Sequence, residues 1–269
     1  MRQESFGIIG SDPRLKFLSK ILIKDGHKTI FFKGNNLKNL ILENDNIILP
    51  IPVSRDGTNI TGTEININQS LFKGKNIFCG HQEEVESEFW NSLDILDYSK
   101  SEEFISANAE LTAHGTLKIL AEMITKPFNE LKILMTGFGR IGKIFTKLLQ
   151  GLGSKISVLN YKQEDTIWSK IFGVKFFDME EIIDSNIDFD FIINTAPSMI
   201  FSKKVLKNLY KKSFKKTHFI DLASKPGIDE KACKEIDFKI DVILGIPGKF
   251  FPEKSAEIIK KSIYEIMKI

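Results

Sequence analysis

Residues 131–150, Leu-Lys-Ile-Leu-Met-Thr-Gly-Phe-Gly-Arg-Ile-Gly-Lys-Ile-Phe-Thr-Lys-Leu-Leu-Gln, decide the fold. An apolar run leads into Gly137-x-Gly139-x-x-Gly142 and then into a segment of helical periodicity, so the glycine triplet stands between a strand and a helix. That is the setting of a dinucleotide fingerprint. Gly137 allows the tight turn, Gly139 lets backbone approach a pyrophosphate, and Gly142 lets helix and strand pack closely, with the helix N-terminus aimed at the anion. Ile141, Ile144, Phe145, Leu148 and Leu149 fall on one helical face, and Lys143, Thr146, Lys147 and Gln150 on the other. Gly151 and Gly153 then stop the helix before the apolar residues 156–159. The competing reading is a glycine-rich turn that merely packs a strand on a helix.

The chain of 269 residues is long enough for two compact domains, and its 42% apolar content is ordinary for a soluble α/β protein. No run approaches membrane length, and residues 1–5 enter a predicted strand without an apolar signal segment, so a cytoplasmic location is expected. Cys79 and Cys233 lie far apart, with no Cys-x-x-Cys and no histidine at ligand spacing. Neither a disulfide framework nor a metal site is expected, and both cysteines read as small core residues. The net charge of +3 is modest and the lysines are spread over most predicted helices, which does not suggest nucleic-acid binding; no membrane association is expected either. Lys203, Lys204, Lys207, Lys211, Lys212, Lys215 and Lys216 read as a solvated helix face and its following turn.

Upstream, residues 6–10, 29–32, 46–49 and 76–79 read as strands, with 93–96 a candidate fifth. The turn Ser11-Asp12-Pro13-Arg14 carries a capping residue for a helix with Leu15, Leu18, Ile21 and Leu22 on its apolar face. Strands alternating with helices imply a parallel sheet, whose ligands collect beyond the carboxyl ends of the strands. The turn with Asp12 and Arg14 and the loop with Ser54, Arg55 and Asp56 are therefore placed for a small molecule; alternatively Pro50, Pro52 and Gly57 only punctuate a surface loop. Residues 101–123 read as one long helix, in which Gly115 hints at close approach by a helix or a ligand. Pro127 marks a break. Beyond the fingerprint, residues 174–177, 190–194, 218–221 and 240–244 complete a sheet of about six strands. Residues 252–269, with Ile259, Ile263 and Ile266 at helical spacing, are expected to pack back on the first domain. The expected architecture is α/β: two Rossmann-like doubly wound domains with a cleft between them, joined by a long interdomain helix and a returning C-terminal helix. Residues 1–124 form the substrate-side domain, completed by 253–269, and residues 125–252 the nucleotide domain.

The second strand of the nucleotide domain ends at Leu159-Asn160-Tyr161-Lys162, where an acid would hold the ribose hydroxyls of NAD. None is present. Asn160, Tyr161 and Lys162, with Arg140, favour the 2′-phosphate of NADP(H) over NAD(H), against the alternative that Lys162 is simply exposed. Three further strand ends deliver short side chains that leave room for a nicotinamide: Thr195, Ala196 and Pro197; Ala223 and Ser224; and Gly245 and Pro247. With Gly137, Phe138, Gly139, Arg140, Ile141 and Gly142 they make up the candidate cofactor set. Among the histidines, His27 and His218 adjoin strands and His81 opens a predicted helix. His114, beside Gly115, has a position that suggests a general acid/base or a carboxylate-binding group, with a structural role left equally open. No nucleophile elbow and no carboxylate pair of recognisable context is visible.

Leu49-Pro-Ile-Pro-Val-Ser54, Asn108-Ala-Glu-Leu-Thr-Ala-His-Gly115, Gly137-Phe-Gly-Arg-Ile-Gly-Lys143, Asn194-Thr-Ala-Pro197, Asp221-Leu-Ala-Ser-Lys-Pro-Gly227 and Gly245-Ile-Pro-Gly-Lys249 occur in this order. Together they resemble the A subunits of bacterial dipicolinate synthase over nearly the whole chain and, more distantly, the two-domain D-2-hydroxyacid and alanine dehydrogenases. The resemblance implies oxidation of dihydrodipicolinate to pyridine-2,6-dicarboxylate, NADP+ taking the hydride, in the mother cell of a sporulating bacterium. It also implies a partner, the flavoprotein-like B subunit of the synthase, and a homo-oligomer is a further expectation. Leu111 and His114 stand where the family pattern has Pro and Glu, Tyr161 or Lys162 where an Arg often follows, and Glu257 where Gly occurs. These departures bear on cofactor preference and on His114, not on the fold.

For such a reaction the protein must hold ring carbon against nicotinamide, neutralise two carboxylates and accept one proton. His114, Lys225 and Ser54 are the candidate catalytic residues; Arg14, Arg55, Thr112 and Lys249 are the candidate substrate ligands. Two alternatives remain open. One is another NAD(P)-dependent small-acid dehydrogenase of the same architecture, the other a non-catalytic nucleotide-binding subunit.

Overall fold

The computed structural model describes residues 2–34, 36–66, 70–80, 95–159, 163–185, 187–212 and 214–269. Contacts divide them into two compact units: Met1–Asn108 with Pro247–Ile269, and Ala109–Ile246. Both are parallel-sheet α/β structures.

The first unit is built from β1 (Ser5–Ile8), α1 (Pro13–Lys24), β2 (Lys28–Phe31), α2 (Leu37–Glu43), β3 (Asn46–Ile48), β4 (Asn76–Cys79) and β5 (Ile95–Asp97). Its five strands lie in the order β2-β1-β3-β4-β5. As the sequence suggests, Asp12 caps α1 by accepting the Arg14 N–H at 2.9 Å, and Pro13 occupies the first turn, where no N–H is needed. Leu15, Leu18 and Leu22 of α1 bury against Phe6, Ile8 and Phe78 of the sheet. Ala256, Ile259 and Ile263 of the last helix, Pro252–Met267, join the same cluster, so this helix does return to the first unit. A polar clasp adds to the contact. One oxygen of Asp25 accepts from Lys260 Nζ and from the Tyr264 hydroxyl, both at 2.9 Å. His27 is buried edge-on between Phe6 and Tyr264, its Nδ1 accepting the Glu4 N–H at 3.1 Å.

The long helix α3 (Glu102–Met123) leads into the second unit. There follow β6 (Lys132–Thr136), α4 (Arg140–Gly151), β7 (Lys155–Leu159), α5 (Gln163–Phe172), β8 (Lys175–Phe177), α6 (Met179–Asp184) and β9 (Phe191–Asn194). Then come α7 (Lys203–Tyr210), β10 (His218–Asp221), α8 (Glu230–Ile236), β11 (Lys239–Val242) and the short α9 (Ile246–Phe250), with α10 (Pro252–Met267) closing the chain. The six strands are ordered β11-β10-β9-β6-β7-β8, so the winding reverses between β6 and β9. This is the doubly wound Rossmann arrangement, whose ligand crevice lies at the carboxyl ends where the order reverses. Phe219 of β10, fully buried, packs edge-on against Phe201 and Phe238, with centroids 5.5 and 4.9 Å away.

Both cysteines are buried and free; burial pushes the Cys233 thiol up to about 12 and the Cys79 thiol higher still. All seven lysines between 203 and 216 are exposed, Lys203 pairing with Glu235. His81 lies outside the described residues. One expectation fails. Thr146, assigned to the polar face of α4, is fully buried, because the inward face centres on Gly142, Phe145 and Leu149, where the glycine lets the first turn sit deep. Among the described residues no helix is long and apolar enough to cross a membrane.

Phe219→Ala should cost about 3–5 kcal/mol in denaturant unfolding, since the two neighbouring rings cannot close over the cavity. The ammonium of Lys260 foremost, and then the Tyr264 hydroxyl, hold the Asp25 carboxyl below its ordinary 3.8, against desolvation. The clasp therefore contributes stability above that pH, lost as pH falls through the lowered folded value. Asp25→Asn should lower the melting temperature at pH 7, and the gap to wild type should close as the pH drops below about 3.8, read by calorimetry across pH.

Candidate functional site

The turn after β6 is shaped by what a side chain would strike. Gly137 has φ of +81°, and a Cβ there would lie 2.6 Å from the Ala196 nitrogen and 2.7 Å from Thr195 Oγ1. A Cβ at Gly142 would lie 2.2 Å from the Gly137 carbonyl oxygen. The third glycine thus serves to seat α4 on the turn itself. Gly139 differs: a Cβ there would meet nothing within 4 Å. It occupies the N-cap of α4 with no side-chain cap bond, as suits a helix start that receives an anion. Phe138 is buried and stands edge-on to Phe172 at 5.3 Å, fixing the turn from α5. The Lys143 ammonium lies 3.8 Å from the ring centre of the half-exposed Trp168. Asn160, Tyr161 and Lys162 lie outside the described residues.

Beside this turn, β6, β9 and β10 end in register at Thr136, Asn194 and Asp221. All three are buried, and they form one hydrogen-bonded row. Thr136 Oγ1 donates to Asn194 Oδ1 at 2.7 Å, and Asn194 Nδ2 donates to Asp221 Oδ1 at 2.8 Å. The Asn194 amide also braces the next turn, accepting the Ala196 N–H and donating to the Ala196 carbonyl. Thr195 Oγ1 reaches back to the Gly137 carbonyl at 2.7 Å, so the β9 loop and the glycine turn are bonded directly. Asp221 accepts the N–H groups of Ala223 at 3.1 Å, Gly227 at 2.8 Å and Ile228 at 3.1 Å. The loop between is tied at both ends and presents Ser224, Lys225 and Pro226 to solvent. Sequence reasoning misses this row, although a signal exists: three apolar runs each end in a polar residue, Thr136, Asn194 and Asp221. At the far end of the sheet Gly245 has φ of +68°; Pro247, where the returning segment of the first unit begins, is buried. Within the second unit the long helix carries two more candidates. In the same unit, His114 is exposed on α3, and Thr112 is buried with its carbonyl accepting from Thr116 Oγ1 at 2.8 Å.

The remaining candidates belong to the first unit. Asp56 accepts the N–H groups of Asn59 and Thr58, the Asn59 side-chain amide and the hydroxyl of the buried Ser54, which hold its carboxyl far below the usual carboxylate range. Ser54 is thereby committed to its own loop, and Arg55 between them is exposed. Arg14 is 9% exposed; its Nε donates to Asp12 at 2.9 Å and its Nη2 to the Ile51 carbonyl at 2.9 Å. A Cβ on Gly248 would come within 3.0 Å of Arg14 Nε, so the fold brings Arg14 together with the turn that precedes Lys249. Lys249 is exposed, its ammonium 5.3 Å from the centre of the Phe250 ring.

Comparison with known proteins agrees with this geometry. Residues 99–236, a little over half of the chain, match the family model described as D-isomer specific 2-hydroxyacid dehydrogenase, NAD binding domain. The chain is similar to the A subunit of dipicolinate synthase from Bacillus subtilis (strain 168), at 26% identity over 161 residues; the matched stretch is 60% of this chain and 53% of that protein. In fold it is similar to the crystal structure of the dipicolinate synthase A subunit from Bacillus halodurans, with TM-score 0.82, 18% identity and coverage of 99% of this chain and 98% of that one. The corresponding crystal structure from Bacillus subtilis gives TM-score 0.81 at 19% identity, covering 100% and 97%. The apo D-lactate dehydrogenase of Escherichia coli follows the same fold with TM-score 0.66 at 12% identity, covering 98% and 96%. With its glycine turn, its order of strands and its matched residues in accord, the chain belongs to the family of D-isomer specific 2-hydroxyacid dehydrogenase NAD-binding domains, and a nicotinamide dinucleotide is the cofactor class that this domain supports.

Proposed function

We propose that the chain is the dehydrogenase subunit of a dipicolinate synthase, oxidising dihydrodipicolinate to dipicolinate with NADP+. The observation that carries the reading is the turn at residues 137–142, closed by contact at Gly137 and Gly142 and open at Gly139, where a pyrophosphate must approach. The similarity to dipicolinate synthase A subunits supports the choice of substrate. Those relatives are each one part of a synthase with more than one kind of chain, which supports a second kind as partner here, a flavoprotein-like B subunit. The cytoplasm of the sporulating mother cell is the corresponding location.

When bound, the nicotinamide supplies the hydride acceptor. The protein does the rest. The first-turn N–H groups of α4 hold the pyrophosphate, and the short side chains of Thr195, Ala196, Pro197, Ala223 and Ser224, with Gly245 and Pro247, leave a flat bed for the ring. Asn160, Tyr161 and Lys162 with Arg140 take the 2′-phosphate. Lys225, Arg55 and Lys249 neutralise the two substrate carboxylates, and Arg14 lies against Gly248, next to Lys249. Ser54 steadies the Arg55 loop through Asp56. Thr112 hydrogen-bonds the substrate and His114 takes the proton.

Turnover is followed by the absorbance of reduced nicotinamide on mixing the chain with dihydrodipicolinate and NADP+. Arg55→Ala and Lys225→Ala should each raise the apparent KM by about tenfold or more, the loss of one charge-assisted hydrogen bond. If neither moves it, the substrate assignment is wrong; turnover of a 2-hydroxy acid instead would favour another small-acid dehydrogenase. Gly139→Ala should leave the melting temperature within a degree or so of wild type, since its Cβ touches nothing, yet weaken nucleotide binding by about tenfold or more in a fluorescence titration. Gly142→Ala should lower both. Tighter binding of NADH than of NADPH would overturn the 2′-phosphate contacts.

A further inference from the structure

Asp221 carries a charge that its architectural task does not need. Closing a loop on neutral N–H groups can be done by the oxygen of a serine or an amide. Here both carboxylate oxygens accept, from Asn194 Nδ2 and the Ala223 N–H on one side and from the Gly227 and Ile228 N–H groups on the other. Four donors around an acceptor-only group is the pattern of an ionised carboxylate. All four are neutral, and among the described residues no lysine or arginine pairs with Asp221, which is 1% exposed. A buried negative charge without a cation is costly to keep, so its retention calls for a cation that arrives with a ligand.

The position of Asp221 identifies that cation. A dinucleotide lies across the reversal of strand order, here between β6 and β9. The ribose-recognising end of β7 takes the adenosine half, which leaves the nicotinamide half to the ends of β9 and β10, where Asn194 and Asp221 stand. The oxidised nicotinamide ring bears a positive charge and the reduced ring none, so only the oxidised form gains from a nearby carboxylate. We propose that the buried carboxylate of Asp221 makes the site prefer the oxidised nucleotide, while its loop-closing bonds hold Lys225 in place. The inference rests on the second unit being a nicotinamide nucleotide site. It also suits an oxidation that ends in an aromatic ring, because the driving force is ample and weak retention of the reduced nucleotide frees the site after turnover.

The test titrates the full chain with NADP+ and NADPH separately by calorimetry. Wild type should bind NADP+ more tightly than NADPH. Opposite charges about 10 Å apart in a protein interior change an affinity by roughly tenfold. Asp221→Asn should therefore weaken NADP+ by about that factor more than NADPH, and Asp221→Glu, which keeps the charge, should restore the preference. Loss of a purely architectural residue would weaken both forms equally, and that result, or tighter binding of NADPH by wild type, overturns the proposal. Should Asp221→Asn not fold, Asp221→Ser removes the charge with a smaller side chain, and the wild-type comparison stands without any variant. If neither nucleotide binds wild type, the nucleotide reading itself falls with the inference; if both bind without preference, the charge proposal alone is lost.

Discussion

The first turn of α4 rests directly on the backbone that leads into it. A single methyl group at position 142 would have to occupy space 2.2 Å from the Gly137 carbonyl, and one at 137 would overlap the turn after β9. No adjustment of rotamers relieves a backbone contact of that kind. Because the helix can sit so low, Phe145 and Leu149 reach the sheet and Thr146 is drawn into the interior with them. The same seating aims the start of α4 past Gly139 into open space. A packing constraint and a binding geometry are thus one arrangement seen from inside and from outside.

The sheet of the second unit is apolar along its strands and polar at its carboxyl rim. Ile192, Ile193, Phe219 and Ile220 are fully buried, and the next residue along each strand turns polar without becoming exposed. Buried polar groups need partners, and Thr136, Asn194 and Asp221 supply them to one another and to the backbone of three loops. The rim is consequently tied down at Thr195, Ala196 and Ala223, while the charged tip at Lys225 stays outside. The first unit follows similar logic at Asp56, whose bonds fold the Ser54 to Asn59 loop around one carboxylate.

Much of this is legible in the order of residues. Strands such as Asn76–Cys79 and His218–Asp221 are placed well because short apolar runs end abruptly at glycine or polar punctuation. The glycine turn is legible because its function fixes both residue type and spacing. The rim is not, since Thr136 and Asn194 are 58 residues apart, Asn194 and Asp221 27 apart, and only strand register aligns them. Arg14 shows a second limit. Its place after a strand marks it as a ligand for an anion, yet its guanidinium binds Asp12 and the Ile51 carbonyl, 37 residues on. Thr146 shows a third, because helical periodicity gives the width of a buried face but not how deep a glycine lets it sink.

The path of the backbone through the two units has its own effect. Ala109–Ile246 is one uninterrupted stretch, whereas the first unit is assembled from Met1–Asn108 and Pro247–Ile269. On a ribosome, the uninterrupted stretch can complete its core while later codons are still being read. The earlier one cannot. Leu18 and Leu22 stay uncovered until Ile259 and Ile263 leave the exit tunnel, so a nascent chain passes through an interval in which its second half is folded and its first half still offers chaperones a bare hydrophobic flank.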